Sequence, residues 1–443
     1  MLAGYRREVL PNGLRVVAVQ NPALHSFVCS TCVHAGPRFE RPDETGLTHF
    51  VEHMLIQGSR SFPTFNDIVR RVEDLGGIVE GQTYPEYVRV TFGVHRKHWR
   101  RVMEIAGDVL ANPLFDPEEV EQEKSIITQE ISRHRDRAGR NISVYELCYG
   151  MLLRERVSEA GTRGSPAILS SFDAEAVRAQ YERFFLPDNM VVSVAGGFDF
   201  DEVLGEMGRY FAEIPPGDNL PELLPRDLTD SRPRAVFRDS EALPVVEALL
   251  CNEAYPLGDE RTDAVRAVAR LLGGGLSSRL FSRVREELGL VYDVEAYPQA
   301  FSDVGALLTS FSVGVENLTD ALEVVTEEIR RTAAANFTGH ELRRYQESAK
   351  CGMEMLCDHP SSLADWFGRQ ELLLGEDQVI TPEEYIRRQE ALTLGDLARV
   401  LEEVFTPERS RLAVVGPFGE NELEAMRALF PAEEPEVAAP AGA

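Results

Sequence analysis

Cysteine is scarce in this 443-residue chain. Six residues, Cys29, Cys32, Cys148, Cys251, Cys351 and Cys357, are too few and too scattered for a disulfide scaffold. Cys29 and Cys32 make a CxxC, but Ser26-Phe-Val-Cys-Ser-Thr-Cys-Val reads as a strand. On a strand the two thiols point to opposite faces, and no second CxxC completes a zinc site, so both read as buried thiols. No stretch approaches the roughly 18 apolar residues of a membrane helix. The beginning has no apolar run after Arg6-Arg7, so it does not read as a secretory signal, and a cytoplasmic location is the default. Neither GxGxxG nor GxxxxGK[ST] occurs, which disfavours a nucleotide fold. Basic residues are also short: 46 Lys and Arg stand against 73 Asp and Glu, a net charge of −27. Such a surface repels phosphate backbones and anionic lipid, so nucleic acid and membrane are not expected partners, whereas basic peptides are attracted.

What the chain does have is apolar content of 43% and a diverged internal repeat. Phe172-Asp-Ala-Glu-Ala-Val, followed by Tyr181-Glu-Arg-Phe-Phe-Leu-Pro-Asp-Asn-Met-Val-Val-Ser-Val-Ala-Gly and an amphipathic helix, recurs as Leu392-Thr-Leu-Gly-Asp-Leu, then Leu401-Glu-Glu-Val-Phe-Thr-Pro-Glu-Arg-Ser-Arg-Leu-Ala-Val-Val-Gly and a helix. Length alone suggests about three units at roughly 150 residues each. The repeat instead predicts two domains of one fold, 1–214 and 237–430, joined by a proline-rich linker over 215–236. An acidic, Ala/Pro-rich tail, 431–443, reads as disordered. Within each half alternating strands such as 14–20 and 87–92 interleave with long helices. The fold class expected is α+β: two homologous α/β sandwich domains, each an antiparallel or mixed sheet covered by helices.

The first half carries His49-Phe-Val-Glu52-His53. On a helix, His49 and His53 at i and i+4 lie one above the other and can bind one metal ion. Glu52 lies beside them, able to act on a water there. A hydrolytic zinc site takes three protein ligands and keeps one position open, so a third is required. Residues 117–134 read as a helix, with Asp116 as N-cap, Pro117 at its first position and Glu119 completing a capping box. Its Glu123 and Glu130 fall two turns apart on one face. Spacing does not choose between them.

With these residues in place, the chain resembles the inverted-zincin (HxxEH) metallopeptidases of the pitrilysin/insulysin type. The likeness runs from Val9-Leu-Pro-Asn-Gly-Leu-Arg-Val-Val through Thr48-His-Phe-Val-Glu-His-Met-Leu to Val415-Gly-Pro-Phe. Its length matches the branch of half-size subunits similar to mitochondrial processing peptidase. The resemblance implies His49, His53 and Glu130 as ligands of one Zn2+ per chain, Glu52 as general base, and Glu123 as the outer group that orients the site. It also implies a peptide or unfolded-protein substrate and a clamshell chamber of which this chain is one half. A homodimer is then expected, or a heterodimer with a related subunit.

Aligned on the repeat, His49, Glu52 and His53 fall against Arg266, Ala269 and Arg270, and Glu130 against Gly352, so the second half cannot build the same site. Gly289 reads as the residue that ends a helix, placing Arg285 on its last turn and Tyr292 at the start of a strand. The ordinary reading of these two is a dipole-complementing Arg and a half-buried strand Tyr. In the family an Arg and a Tyr seven apart close over the substrate, and Arg285 and Tyr292 match them. One departure stands out. Where relatives carry Asn-Ala before a Thr on the substrate-pairing strand, this chain reads Glu80-Gly81-Gln82-Thr83. Glu80 and Thr83 become candidate substrate-binding residues, and Glu80 suggests a preference for basic flanks. The resulting expectation is a zinc endopeptidase. The alternatives are a subunit of a heteromeric precursor-processing complex and a non-catalytic scaffold.

Overall fold

Two β-sheets organise the computed structural model, which describes residues 4–153, 161–212, 214–217, 220, 222–223 and 234–430. The first sheet uses β1 (Gly4–Val9), β2 (Arg15–Gln20), β3 (Ser26–Val33), β4 (Ile78–Thr83), β5 (Val88–His95) and β6 (Met190–Gly196). The second uses β7 (Ala235–Asp239), β8 (Val246–Ala254), β9 (Val291–Ala300), β10 (Gly305–Val313) and β11 (Ser410–Gly416). Their orders are β1-β2-β6-β3-β5-β4 and β7-β11-β8-β10-β9. Both are mixed: β2 runs parallel to β6 and β7 parallel to β11, while the other pairs are antiparallel. Among the described residues no helix is long and apolar enough to cross a membrane.

The sequence pattern suggests alternating strands. In the structure the central ones are instead buried on both faces. Val16, Val17, Ala18 and Val19 of β2 and all of β6 are inaccessible, as the near-continuous apolar runs of doubly covered strands require. Val16, Ala18 and Cys29 join one core with the helices Leu47–Leu55, Trp99–Ala111 and Phe200–Phe211. Val17, Val19 and Cys32 pack on the opposite face against Leu363, Ala364 and Phe367 of the helix Pro360–Leu373. The CxxC thiols therefore do lie on opposite faces, and burial pushes both up to about 12. The second sheet has the same two-sided burial. Helices Thr262–Leu272, Leu318–Ala335 and Leu394–Val404 share one core with it, and Leu147, Cys148 and Met151 of Val144–Leu153 pack on the other face against Leu249, Cys251 and Ala413.

Each sheet thus draws its second cover from the other half of the sequence. One compact unit comprises Met1–Ile131, Thr162–Leu224 and Cys351–Glu383; the other comprises Ser132–Gly161, Pro225–Lys350 and Glu384–Ala443. The continuous halves drawn from the repeat differ from these units by the two exchanged segments, because a repeat records sequence likeness and not contact. Most of the linker and the whole tail lie outside the described residues.

Buried ions fasten both exchanged helices. In the first unit Glu371 Oε1 accepts from Arg7 Nε at 2.9 Å, and Arg15 donates to the Glu371 carbonyl at 2.8 Å. In the second, Arg411 donates to the Met151 carbonyl near the end of Val144–Leu153 at 3.2 Å and pairs with Glu253 at 3.2 Å. A cation is favoured at a helix C-terminus, where carbonyls lack partners.

Candidate metal centre

His49, Glu52 and His53 stand on the helix Leu47–Leu55, whose Phe50, Val51, Met54 and Leu55 are buried in the first core. The donor atoms of these three side chains lie within 4.8 Å of one another. The two Nε2 atoms are 3.2 Å apart, and Glu130 Oε2 lies 3.7 Å from each. Ligands about 2.1 Å from a tetrahedral zinc stand about 3.4 Å apart, so this triangle has the right size. Glu130 rides on the helix Pro117–Ser132, which stops two residues short of the expected end. Asp116 caps it by accepting from Glu118 N at 2.8 Å.

Hydrogen bonds aim the donors inward. His53 Nδ1 lies 2.8 Å from Glu123 Oε1, and Gln57 Nε2 donates to Glu123 Oε2 at 2.9 Å. A carboxylate can only accept, so neutral His53 carries its proton on Nδ1 and turns the Nε2 lone pair toward His49 and Glu130. His49 Nδ1 is buried without a hydrogen-bond partner. In the tautomer with the proton on Nδ1, three lone-pair atoms face one another, an arrangement that a bound cation would stabilise. Glu130 Oε1 accepts from Arg163 Nε at 2.6 Å, which leaves Oε2 for that cation. The donor set fits a zinc ion. Glu52 is the less apt third ligand, because its Oε2 accepts from Thr83 Oγ1 at 3.1 Å.

The protonation tendencies agree with this division. Burial, then the charge of His53, holds His49 well below the ordinary imidazole range. Burial works against a charge on His53, yet the Glu123 hydrogen bond and the surrounding carboxylates raise it. Burial raises Glu52, which suits a group that must accept a proton near neutral pH. Glu130 is held low in spite of burial, by Arg163 and the two imidazoles.

Strand β4 at the sheet edge backs Glu52. Thr83 and Gly81 lie on the half-buried face of the strand, and Glu80 and Gln82 are exposed on the other. A Cβ at position 81 would fall 2.1 Å from Glu52 Oε1, so glycine there lets the carboxylate rest against the strand. Glu80 therefore does not join His49, Glu52, His53, Glu123, Glu130 and Thr83. Its face of the pleat is the opposite one.

Arg285 and Tyr292 belong to the second unit, where they meet each other. The Arg285 guanidinium carbon lies 5.4 Å from the Tyr292 ring centre and 4.9 Å from that of Phe281. Gly289, at φ +62, ends the helical turn, with its N–H donating to the Arg285 carbonyl at 3.0 Å. Tyr292 is 81% exposed, so it is not a half-buried strand residue. Arg266 and Arg270 sit on Thr262–Leu272 and Gly352 on Gly339–Leu356, as the repeat places them.

Sequence reasoning missed Arg163, Gln57 and Glu40, the last of which accepts from Gly46 N and Thr48 N at the start of the motif helix. Only Glu40 had a signal: Gly46 offers that helix no capping side chain. Arg163→Ala is expected to weaken zinc binding about tenfold, the usual cost of losing a group that orients a ligand. Chelator competition on the metal-stripped chain measures it, and an unchanged affinity would refute a role for Arg163 in holding Glu130.

Comparison with known proteins places this geometry. Residues 15–163 match the profile described as "Insulinase (Peptidase family M16)", and residues 171–349 match "Peptidase M16 inactive domain". The chain is similar to the "Uncharacterized zinc protease YmxG" of Bacillus subtilis, 27% identical over 421 residues, covering 94% of this chain and 98% of that one. Its fold is like that of a protease from Helicobacter pylori, with a TM-score of 0.85 at 16% identity, over 94% of this chain and 100% of the other. It is also like that of a Pseudomonas fluorescens protein titled "peptidase M16 inactive domain", with a TM-score of 0.81 at 15% identity, over 94% and 98%. The two profiles between them span most of the sequence and take in strands of both sheets: the chain belongs to peptidase family M16.

Proposed function

We propose that the chain is a zinc-dependent endopeptidase acting on peptides or unfolded segments. His49, His53 and Glu130 would hold the metal, oriented by Glu123 and Arg163. The observation that carries this reading is the triangle of Nε2, Nε2 and Oε2 at 3.2, 3.7 and 3.7 Å, with Glu52 beside it and not within it. A bound zinc supplies Lewis acidity toward a peptide carbonyl and lowers the pKa of water. Glu52, its proton affinity raised by burial, takes the proton of the attacking water and returns it to the leaving amine. The Thr83 hydroxyl holds the base in place, and Arg285 and Tyr292 are the residues proposed to assist at the substrate.

Substrate would bind in extended form along the outer edge of β4, which among the described residues pairs only with β5. Side chains of such a strand alternate between faces, and those on the Glu80 side pass its carboxylate. For peptides with Lys or Arg flanks, Glu80→Gln is expected to lower kcat/KM about two- to fivefold, the scale of an exposed ion pair. Neutral peptides should be unaffected. Equal loss on both classes in a peptide-library digest would sink the specificity assignment.

The chain is read as one half of a two-subunit chamber, with a homodimer first, since each chain carries both the metal donors and the Arg285/Tyr292 pair. A heteromeric processing complex is the alternative. A non-catalytic role is a second reading, favoured by the "inactive domain" description of the second profile and opposed by the presence of His49, His53 and Glu130 within 3.7 Å of one another with Glu52 beside them. Zinc stoichiometry, size-exclusion mass and peptide hydrolysis by the purified chain separate the three. Hydrolysis by the chain alone, at dimer mass and with one zinc each, is the expected result.

A further inference from the structure

The motif helix cannot cap itself. Its N-cap is Gly46, at φ +92, and a Cβ there would fall 2.4 Å from the Arg163 carbonyl oxygen. No residue with a capping side chain fits that position, so the orphan N–H groups of the first turn must be met from elsewhere. Glu40, six residues upstream and fully buried, takes two N–H groups at this helix start: its Oε2 accepts from Gly46 N at 2.8 Å and its Oε1 from Thr48 N at 2.7 Å. Thr48 immediately precedes His49 and is itself held by Gln180 Nε2 at 3.0 Å. A buried carboxylate is retained only where donors surround it, and a helix N-terminus is such a place.

The same short stretch grips the other support of Glu52. Arg38, two residues before Glu40 and also buried, bonds Glu86 Oε1 at 2.5 Å, and its N–H donates to the Pro85 carbonyl at 3.1 Å. Pro85 and Glu86 form the turn between β4 and β5. Gly36 lies so close to that turn that a Cβ would sit 2.4 Å from the Pro85 oxygen. Residues 36–40 therefore contact both the helix that carries His49, Glu52 and His53 and the hairpin that carries Thr83.

We propose that Glu40 is a positioning residue for the metal centre: its carboxylate, seated on the first turn of the motif helix, fixes His49 and, with Arg38, sets the Glu52–Thr83 contact. The inference rests on the zinc reading of the site and adds the group that preorganises it. In Glu40→Gln one backbone N–H faces an amide NH2, so one of the two bonds is lost while size is kept.

The test uses the full chain as wild type, Glu40→Gln and Glu40→Asp. Thermal unfolding and far-ultraviolet circular dichroism are recorded without metal. Zinc affinity is measured by chelator competition, and kcat and KM with a quenched peptide. The expected result for Glu40→Gln is a folded protein whose zinc affinity falls about tenfold, with kcat reduced and KM within about twofold. Glu40→Asp, which keeps the carboxyl group, should regain part of both. A variant that melts earlier yet binds zinc and turns over like wild type would mean a purely structural cap and overturn the proposal. If Glu40→Gln does not fold, Glu40→Asp decides by the same readouts. A wild type that binds zinc without cleaving peptide defeats the peptidase reading but leaves the affinity comparison to judge Glu40. A wild type that binds no zinc defeats both.

Discussion

Glu52→Gln is expected to keep its zinc and to lose peptide hydrolysis by at least about a hundredfold, within the 10²–10⁴ range of general acid–base catalysis. The substitution is nearly isosteric, so the Thr83 hydroxyl keeps an oxygen to bond, and the fold around Gly81 is undisturbed. What disappears is the ability to accept a proton. The ligand atoms are untouched, because Glu130 and the two imidazoles form their triangle without Glu52. Metal analysis beside single-turnover hydrolysis checks it. Full turnover with metal confirmed would remove Glu52 as the base, and loss of the metal would make it a ligand instead.

Glu371→Ala is expected to destabilise the first unit by about 2–3 kcal/mol. Removing one partner of a buried ion pair costs about 3–5 kcal/mol. The Glu371 side chain is wholly buried, but Arg7 and Arg15 keep about a fifth of their surface, and solvent screening brings the figure down. Arg7 also retains Glu376 at 2.9 Å. The site matters because Glu371 is on the exchanged helix, where Tyr5 stacks on Phe367 at 4.6 Å. Denaturant titration of the full chain measures the loss. Hydrogen exchange should locate it at Arg15–Gln20 and Gly4–Val9. A change below about 0.5 kcal/mol, the level of ordinary surface substitutions, would show that apolar packing alone holds the helix.

The two positions were not equally visible in one dimension. Glu52 sits inside a five-residue motif, and the helical spacing of His49 and His53 is a local property of the backbone. Glu371 has no local mark at all. Its partners are Arg7 and Arg15, at the opposite end of the chain, and nothing in the periodicity of 360–373 names them. The doubly buried strands hinted at the missing layer: a run such as Val16-Val-Ala-Val cannot leave one face in water. Which helix supplies that layer is decided by three-dimensional packing.

By itself, the sequence determined the repeat, the α+β class, the metal helix and the asymmetry between its two halves, because these follow from short-range periodicity and residue chemistry. Spacing presented Glu123 and Glu130 as equals, and the family resemblance alone chose Glu130. Tertiary structure separated them, placing Glu123 against His53 Nδ1 and Glu130 against both Nε2 atoms. Tertiary structure alone also brought Arg163 to Glu130, Glu40 to the first turn of the helix, and one helix of each half onto the sheet built mainly by the other. Those contacts join residues far apart in the chain. They depend on a close approach that leaves no room for a side chain at Gly46, and on sheets whose apolar faces must both be covered, which are properties of the folded backbone.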